Sequence, residues 1–204
     1  MPRSPKLTVL AVVVVAIAGA SCTPDDTTVA PAPAVTGALC SMLPAGSEPG
    51  GPALLQHDTA DVALQWIPVL TTFEAAVRAT KFGAQLRRDP AVTILAPTDD
   101  AFSKALTEDT RDDLLLFRHR RLRAVLKAHI VRGSFSLDEL ARKGSVETLA
   151  GTTVTVSSQD GVVRIDDRAD VVCGDYLAKG ARIHVIGKIL VDVPSSGSGD
   201  EDLG

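Results

Sequence analysis

Val92-Thr93-Ile94-Leu95-Ala96-Pro97-Thr98-Asp99-Asp100-Ala101-Phe102 passes from one periodicity to another within a single short stretch. Val92 to Ala96 is a run of apolar and β-branched residues, which reads as a short buried strand. Pro97 and Thr98 then end the strand and open a helix. Asp99 and Asp100 fall in its first turn, where carboxylates face the positive end of the helix dipole and contribute about 0.3 to 1 kcal/mol each. Phe102 and Leu106, four residues apart, supply its buried side.

Helical signals precede this junction and strand signals follow it. Leu70, Phe73, Val77 and Leu86 recur at near-helical spacing with a break around Gly83, and Asp89-Pro90 stops the region. Downstream, Thr110 with Asp113 is expected to begin a helix leading into Leu122, Val125, Leu126 and Ile130. Ser136 with Glu139 forms a capping box, Leu137 and Leu140 supply its buried side, and Gly144 is the C-terminal stop. Alternation then takes over. Thr153 to Val156 and Val162 to Ile165 flank Asp160-Gly161, a hairpin signal, and Ala169 to Cys173 and Arg182 to Val191 are further β-rich runs. The pattern predicts an α+β domain.

The chain has 204 residues, a formal charge of −4 and only 3% aromatic residues, which excludes a large multidomain enzyme. A balance so slightly acidic, with so few rings, also argues against a nucleic-acid partner. There is no Asn, hence no N-glycosylation acceptor. Arg3 and Lys6 precede the apolar run Leu7 to Ala20, which is shorter than the roughly 20 apolar residues of a membrane-spanning helix and is followed by small residues. Residues 1–21 therefore read as a secretory signal peptide. Cleavage before Ser21 and cleavage before Cys22 both fit; the second leaves a thiol for a lipid anchor. Without Arg3 and Lys6 the 21 basic residues become 19 against 25 acidic ones, a charge of −6.

With Cys22 assigned to the anchor, two cysteines remain in an oxidising compartment. Cys40 and Cys173 read as a disulfide, the alternative being two buried free thiols. Residues 22–38, rich in Thr, Pro and Ala, read as a disordered tether carrying the possible lipid-modified Cys22. The acidic segment 194–204 reads as a disordered tail. One domain, 39–193, lies between them.

The opening stretch resembles the first signature of the fasciclin domain, and Gly180 to Leu190 (GARIHVIGKIL) resembles its closing signature. Leu122 to Val131 (LRAVLKAHIV) is similar to the family's segment around a Tyr-His pair, although Ala128 stands where the family often has Tyr and Gly187 where it often has Asp. Cys40 and Ala169 to Gly174 further resemble the secreted fasciclin-domain antigens of mycobacteria, in which such cysteines pair. The resemblance covers about residues 55 to 193. It implies an α+β fold with a fasciclin-like β-sandwich packed against several helices, used as an adhesion or surface-interaction module.

No G-x-S-x-G, H-E-x-x-H, C-x-x-C, P-loop or G-x-G-x-x-G occurs, so no catalytic residue, metal ligand or cofactor is assigned. Among the four histidines, His119 and His129 are too far apart on a helix to share a face. His129 and His184 read as structural imidazoles in preference to catalytic bases. Asp99 and Asp100 read as helix-capping electrostatics in preference to an exposed carboxylate pair contacting a receptor or a bound cation. The basic run from Arg118 to Arg132 reads as a solvated face.

The expected function is an exported, lipid-anchored or secreted monomeric surface protein without enzymatic activity. Its expected partner is a protein or polymer of the cell envelope or of a host surface. The candidate interaction residues are Asp99, Asp100 and His129, near the Pro97 to Phe102 turn. The alternative is a small apolar-ligand binding protein of the envelope, which an apolar cavity between helices and sandwich would favour.

Overall fold

Met1 and residues 34–89 and 91–193 are described in the computed structural model. Seven strands occur among them: β1 (Val92–Pro97), β2 (Ile130–Arg132), β3 (Ser145–Glu147), β4 (Thr153–Gln159), β5 (Val162–Ile165), β6 (Ala169–Ala178) and β7 (Ala181–Ile186). They form one sheet in the order β2-β1-β7-β6-β5-β4-β3. The expected strand β1 pairs in parallel with β7 and antiparallel with β2, and is buried at every position, as an interior strand must be. A bridge between Val131 and Thr148 brings the two ends of the order together, so the sheet curls into a nearly closed sandwich.

Side-chain alternation on β1 separates two cores. Val92, Ile94 and Ala96 pack with Leu64, Phe73, Phe102 and Leu126 of the helical layer. Leu95 faces the other way, onto Val131, Val154, Ile165 and Ile186 inside the curled sheet. The helices are α1 (Pro52–Leu55), α2 (Ala60–Trp66), α3 (Thr71–Ala79), α4 (Gly83–Leu86), α5 (Asp99–Ala105), α6 (Glu108–Leu116), α7 (His119–Ala128) and α8 (Leu137–Lys143). The chain therefore adopts the expected α+β fold, a fasciclin-like sandwich packed against helices.

Local signals appear where they were strongest. Thr98 caps α5 by accepting a hydrogen bond from the Ala101 amide at 3.1 Å. Ser136 and Glu139 form a reciprocal capping box on α8, with Gly144 as its left-handed stop. Asp160 and Gly161 both have positive φ in the two-residue β4–β5 turn.

Three expectations need correction. Thr110 does not begin its helix: Thr107 does, its hydroxyl accepting from the Thr110 amide at 3.2 Å. That helix does not run on into Leu122, because Phe117 and Arg118 leave helical backbone angles and divide α6 from α7. The Arg182 to Val191 run stops pairing at Ile186, after which the Gly187 amide donates to the Asp170 carbonyl and the Leu190 amide to His129.

The expected tether boundary at residue 38 also moves. Thr36 bridges Gly174, and the Leu39 amide donates to the Val172 carbonyl at 2.8 Å, so residues 36–38 belong to the folded unit. Gly37 makes this approach possible: its φ is +142°, and a Cβ there would lie 2.3 Å from the Val172 oxygen. The Cys40–Cys173 disulfide, with Cα atoms 5.1 Å apart, fastens this strap to β6. Residues 22–33 of the expected tether, Cys22 among them, the tail 194–204 and the signal segment beyond Met1 lie outside the described residues.

The disulfide spans 133 positions of sequence, so reduction should cost about 2 to 5 kcal/mol by freeing the unfolded chain. Urea midpoints with and without dithiothreitol measure this, and an unchanged midpoint would contradict it.

Candidate functional site

The β1–α5 junction places Asp99 and Asp100 at one end of the helical layer, and the two carboxylates have different fates. Leu70 precedes α3 and has no side chain able to cap it. Asp99 supplies the missing acceptor from a different helix. Its Oδ2 accepts from the Thr71 amide (3.2 Å) and hydroxyl (2.8 Å), and its Oδ1 accepts from the Thr72 amide (2.6 Å). This carboxylate thus satisfies two of the orphan donors of α3 and ties α5 to it. The Asp100 side chain is 68% exposed and pairs with Lys104, at 2.7 Å, one turn along α5.

His129, the third candidate, is fully buried and cannot touch a partner, which corrects its placement among the interaction residues. Its Nε2 accepts from the Leu190 amide at 3.0 Å, so the proton sits on Nδ1, which donates to the Val125 carbonyl at 2.8 Å. Burial pushes its pKa from 6.5 down to about 4, against the weaker opposing pull of the Val125 hydrogen bond. His184 is the mirror case. Its Nδ1 accepts from the Asp175 amide at 3.0 Å, and its Nε2 donates to the Phe135 carbonyl at 2.9 Å. Burial lowers its pKa as well. Neither ring has a nitrogen left for proton transfer to a substrate.

The basic run is partly consumed inside the fold. Arg123 donates to the Thr80 carbonyl and lies over the Phe82 ring at 5.3 Å, while Arg118 pairs with Asp113 at 3.1 Å. Among the described residues no group of three or more His, Cys, Asp or Glu is arranged to hold a metal ion.

An open groove of about 570 Å³ lies beside the β1–α5 junction. Leu39 of the strap, Pro68 and Val69 ahead of α3, and Val172 of β6 form apolar walls, with Asp99 and Asp100 on the polar side. Gly187 also lines it, and a Cβ there would meet Val172 Cγ1 only at 3.5 Å, ordinary contact, so the missing side chain leaves room. Sequence reasoning singled out Asp99 and Asp100, and noted Gly187 only as a departure from the family pattern, but it did not find the groove, whose walls come from five separate parts of the chain.

The family model for the fasciclin domain matches residues 68–192, and the chain belongs to that family. It is 33% identical over 155 residues to the immunogenic protein MPB70 of Mycobacterium bovis, covering 72% of this chain and 77% of that protein. It is 34% identical over 122 residues to protein sll1483 of Synechocystis, covering 59% of this chain and 66% of that one. Against the transforming growth factor-beta-induced protein ig-h3 of Sus scrofa the identity is 32% over 130 residues, which is 62% of this chain but 19% of that much longer protein. A solved FAS1 domain pair from the insect cell adhesion molecule fasciclin I aligns with a TM-score of 0.59 at 16% identity, covering 66% of this chain and 51% of that one.

Two outcomes follow. Asp99→Ala should destabilise the fold by about 1 to 2 kcal/mol, the usual cost of losing a helix cap, whereas Asp100→Ala should change stability by less than about 0.5 kcal/mol. Equal melting temperatures for the two variants would contradict the assignment.

The second outcome concerns acid. Between about pH 6.5 and pH 4 the unfolded chain protonates His129 and the folded one does not, so stability falls as pH falls across that window, by about 3 kcal/mol in total, and His184 adds in the same direction. Glu139 and Asp170, whose carboxyls are held below their ordinary values by Ser136 and Arg164 respectively, add their loss at lower pH. Urea midpoints from pH 7.5 to 4.5 check this, and His129→Gln should flatten the slope.

Proposed function

We propose that this chain is an exported, non-enzymatic binding module of the cell envelope, held there by a lipid on Cys22. In this reading the groove beside the β1–α5 junction faces a surface protein or polymer. The observation that carries the reading is the contrast at that junction: the imidazoles are sealed inside the fold, while an apolar groove with an exposed carboxylate stays open. Membership of a family that includes an insect cell adhesion molecule supports it by analogy.

The second reading, a carrier of a small apolar ligand, is favoured by one observation: the groove's volume of about 570 Å³ lies in the range of small-ligand sites. Both readings use the same walls and differ in the size of the occupant.

One set of variants tests the proposal. Cys22→Ala should move the protein from membranes to the medium, since lipid supplies the membrane affinity. The purified Cys22→Ala chain should bind isolated envelope, and adding Gly187→Phe, which fills the groove, should abolish that binding at unchanged melting temperature. Envelope binding undiminished by Gly187→Phe would refute the groove as the binding face, and membrane retention of Cys22→Ala would refute the anchor.

A further inference from the structure

A second groove, of about 590 Å³, lies away from the β1–α5 junction and is built from α1, the turn after it and α2. Pro49, Leu54, Val62 and Trp66 supply apolar walls. Val62 and Trp66 are four residues apart on α2 and so share one face, and Asp58, in the turn ahead of that helix, lines the same groove. Trp66 is the only tryptophan of the chain, and it is 51% exposed although the fold has apolar cores on both faces of its sheet. Leu54 beside it is exposed as well.

Charge distinguishes this groove from an ordinary apolar dent. Asp58 is partly buried in its wall, and among the described residues no Lys or Arg lines it. Among the described residues the Asp58 carboxylate makes no ion pair and no side-chain hydrogen bond. Its carbonyl accepts from the Lys179 amide at 2.7 Å, but the Lys179 side chain forms no ion pair with it. Glu48, nearby in sequence, adds negative charge, and its carboxylate accepts from the Ala45 amide. The other polar lining group is His57. An indole face attracts a cation through its quadrupole, and an unpaired carboxylate on the same wall adds direct attraction.

We infer that the Trp66 groove is a binding site for an organic cation, an ammonium group carried on an apolar body, received between the indole and Asp58. The chemistry is the same for a free amine and for a lysine side chain of a partner protein. The site is independent of the groove at the β1–α5 junction and does not rest on the function proposed for it.

Trp66 is its own reporter, because intrinsic tryptophan fluorescence of the full chain arises from this residue alone. Titration at pH 8 with 3-phenylpropylammonium, 3-phenylpropanol and 3-phenylpropionate varies the charge on one apolar body. The cation should give a saturable change and bind about three- to tenfold more tightly than the alcohol, with the carboxylate weakest. Asp58→Asn should remove the preference for the cation and leave the alcohol unaffected. Trp66→Leu, followed by calorimetry, should weaken the cation, and Gly187→Phe should change nothing. An acetylated Gly-Lys-Gly amide that binds as tightly as the amine identifies a protein side chain as the natural source, and one that binds much more weakly identifies a free amine. Equal affinity for ammonium and alcohol, an Asp58→Asn variant that keeps the preference, or no response from Trp66 to any probe would each overturn the inference.

Discussion

Two buried imidazoles, each spending both ring nitrogens on backbone groups, hold the elements of this fold in register. His129 receives the Leu190 amide and gives its proton to Val125, while its own carbonyl accepts from the Leu95 amide at 2.8 Å. One residue thereby joins the end of α7, the centre of β1 and the segment that leaves β7. His184 lies directly across from Leu95 in the β1–β7 pair, and joins the β6 bend at Asp175 to the loop ahead of α8. A buried polar group left without partners costs more than its hydrogen bond returns, so each ring is stable there only because every nitrogen is engaged.

The groove beside the β1–α5 junction follows from what that framework leaves outside. β1 delivers Thr98, Asp99 and Asp100 to the end of the sheet; Thr98 caps α5 and Asp99 caps α3, so the two helix starts are locked side by side. The disulfide strap then runs along β6 and supplies the facing wall. The groove between them depends on two long-range constraints, the Asp99 cap on α3 and the disulfide strap, and of the acidic pair Asp100 is the one that faces solvent, paired there with Lys104.

Much of this was legible in the chain because its signals were local. The capping box at Ser136 and Glu139, the Asp160-Gly161 turn and the Val92 to Phe102 junction depend on residues within a few positions of one another. Asp99 as the cap of α3 was not legible, since its acceptor role joins residues 27 and 28 positions apart. The choice between Thr107 and Thr110 failed for a subtler reason: both hydroxyls belong to the same N-terminal turn and bond one another at 2.9 Å. The short strands β2 and β3 carry too few residues for alternation to register, and their existence depends on partners elsewhere in the sheet.

Histidine ring chemistry connects fold to function here, because a ring with a free nitrogen in a cleft would invite a catalytic reading that these sealed rings do not support. Nitrogen-15 NMR of the imidazoles tests the point directly. His129 is predicted to be neutral with its proton on Nδ1 from pH 7.5 to 5.5, and His184 to be neutral at pH 7.5 with its proton on Nε2, each as a single tautomer. A tautomeric mixture in either ring at pH 7.5, or protonation of His129 above pH 5.5, would contradict the account.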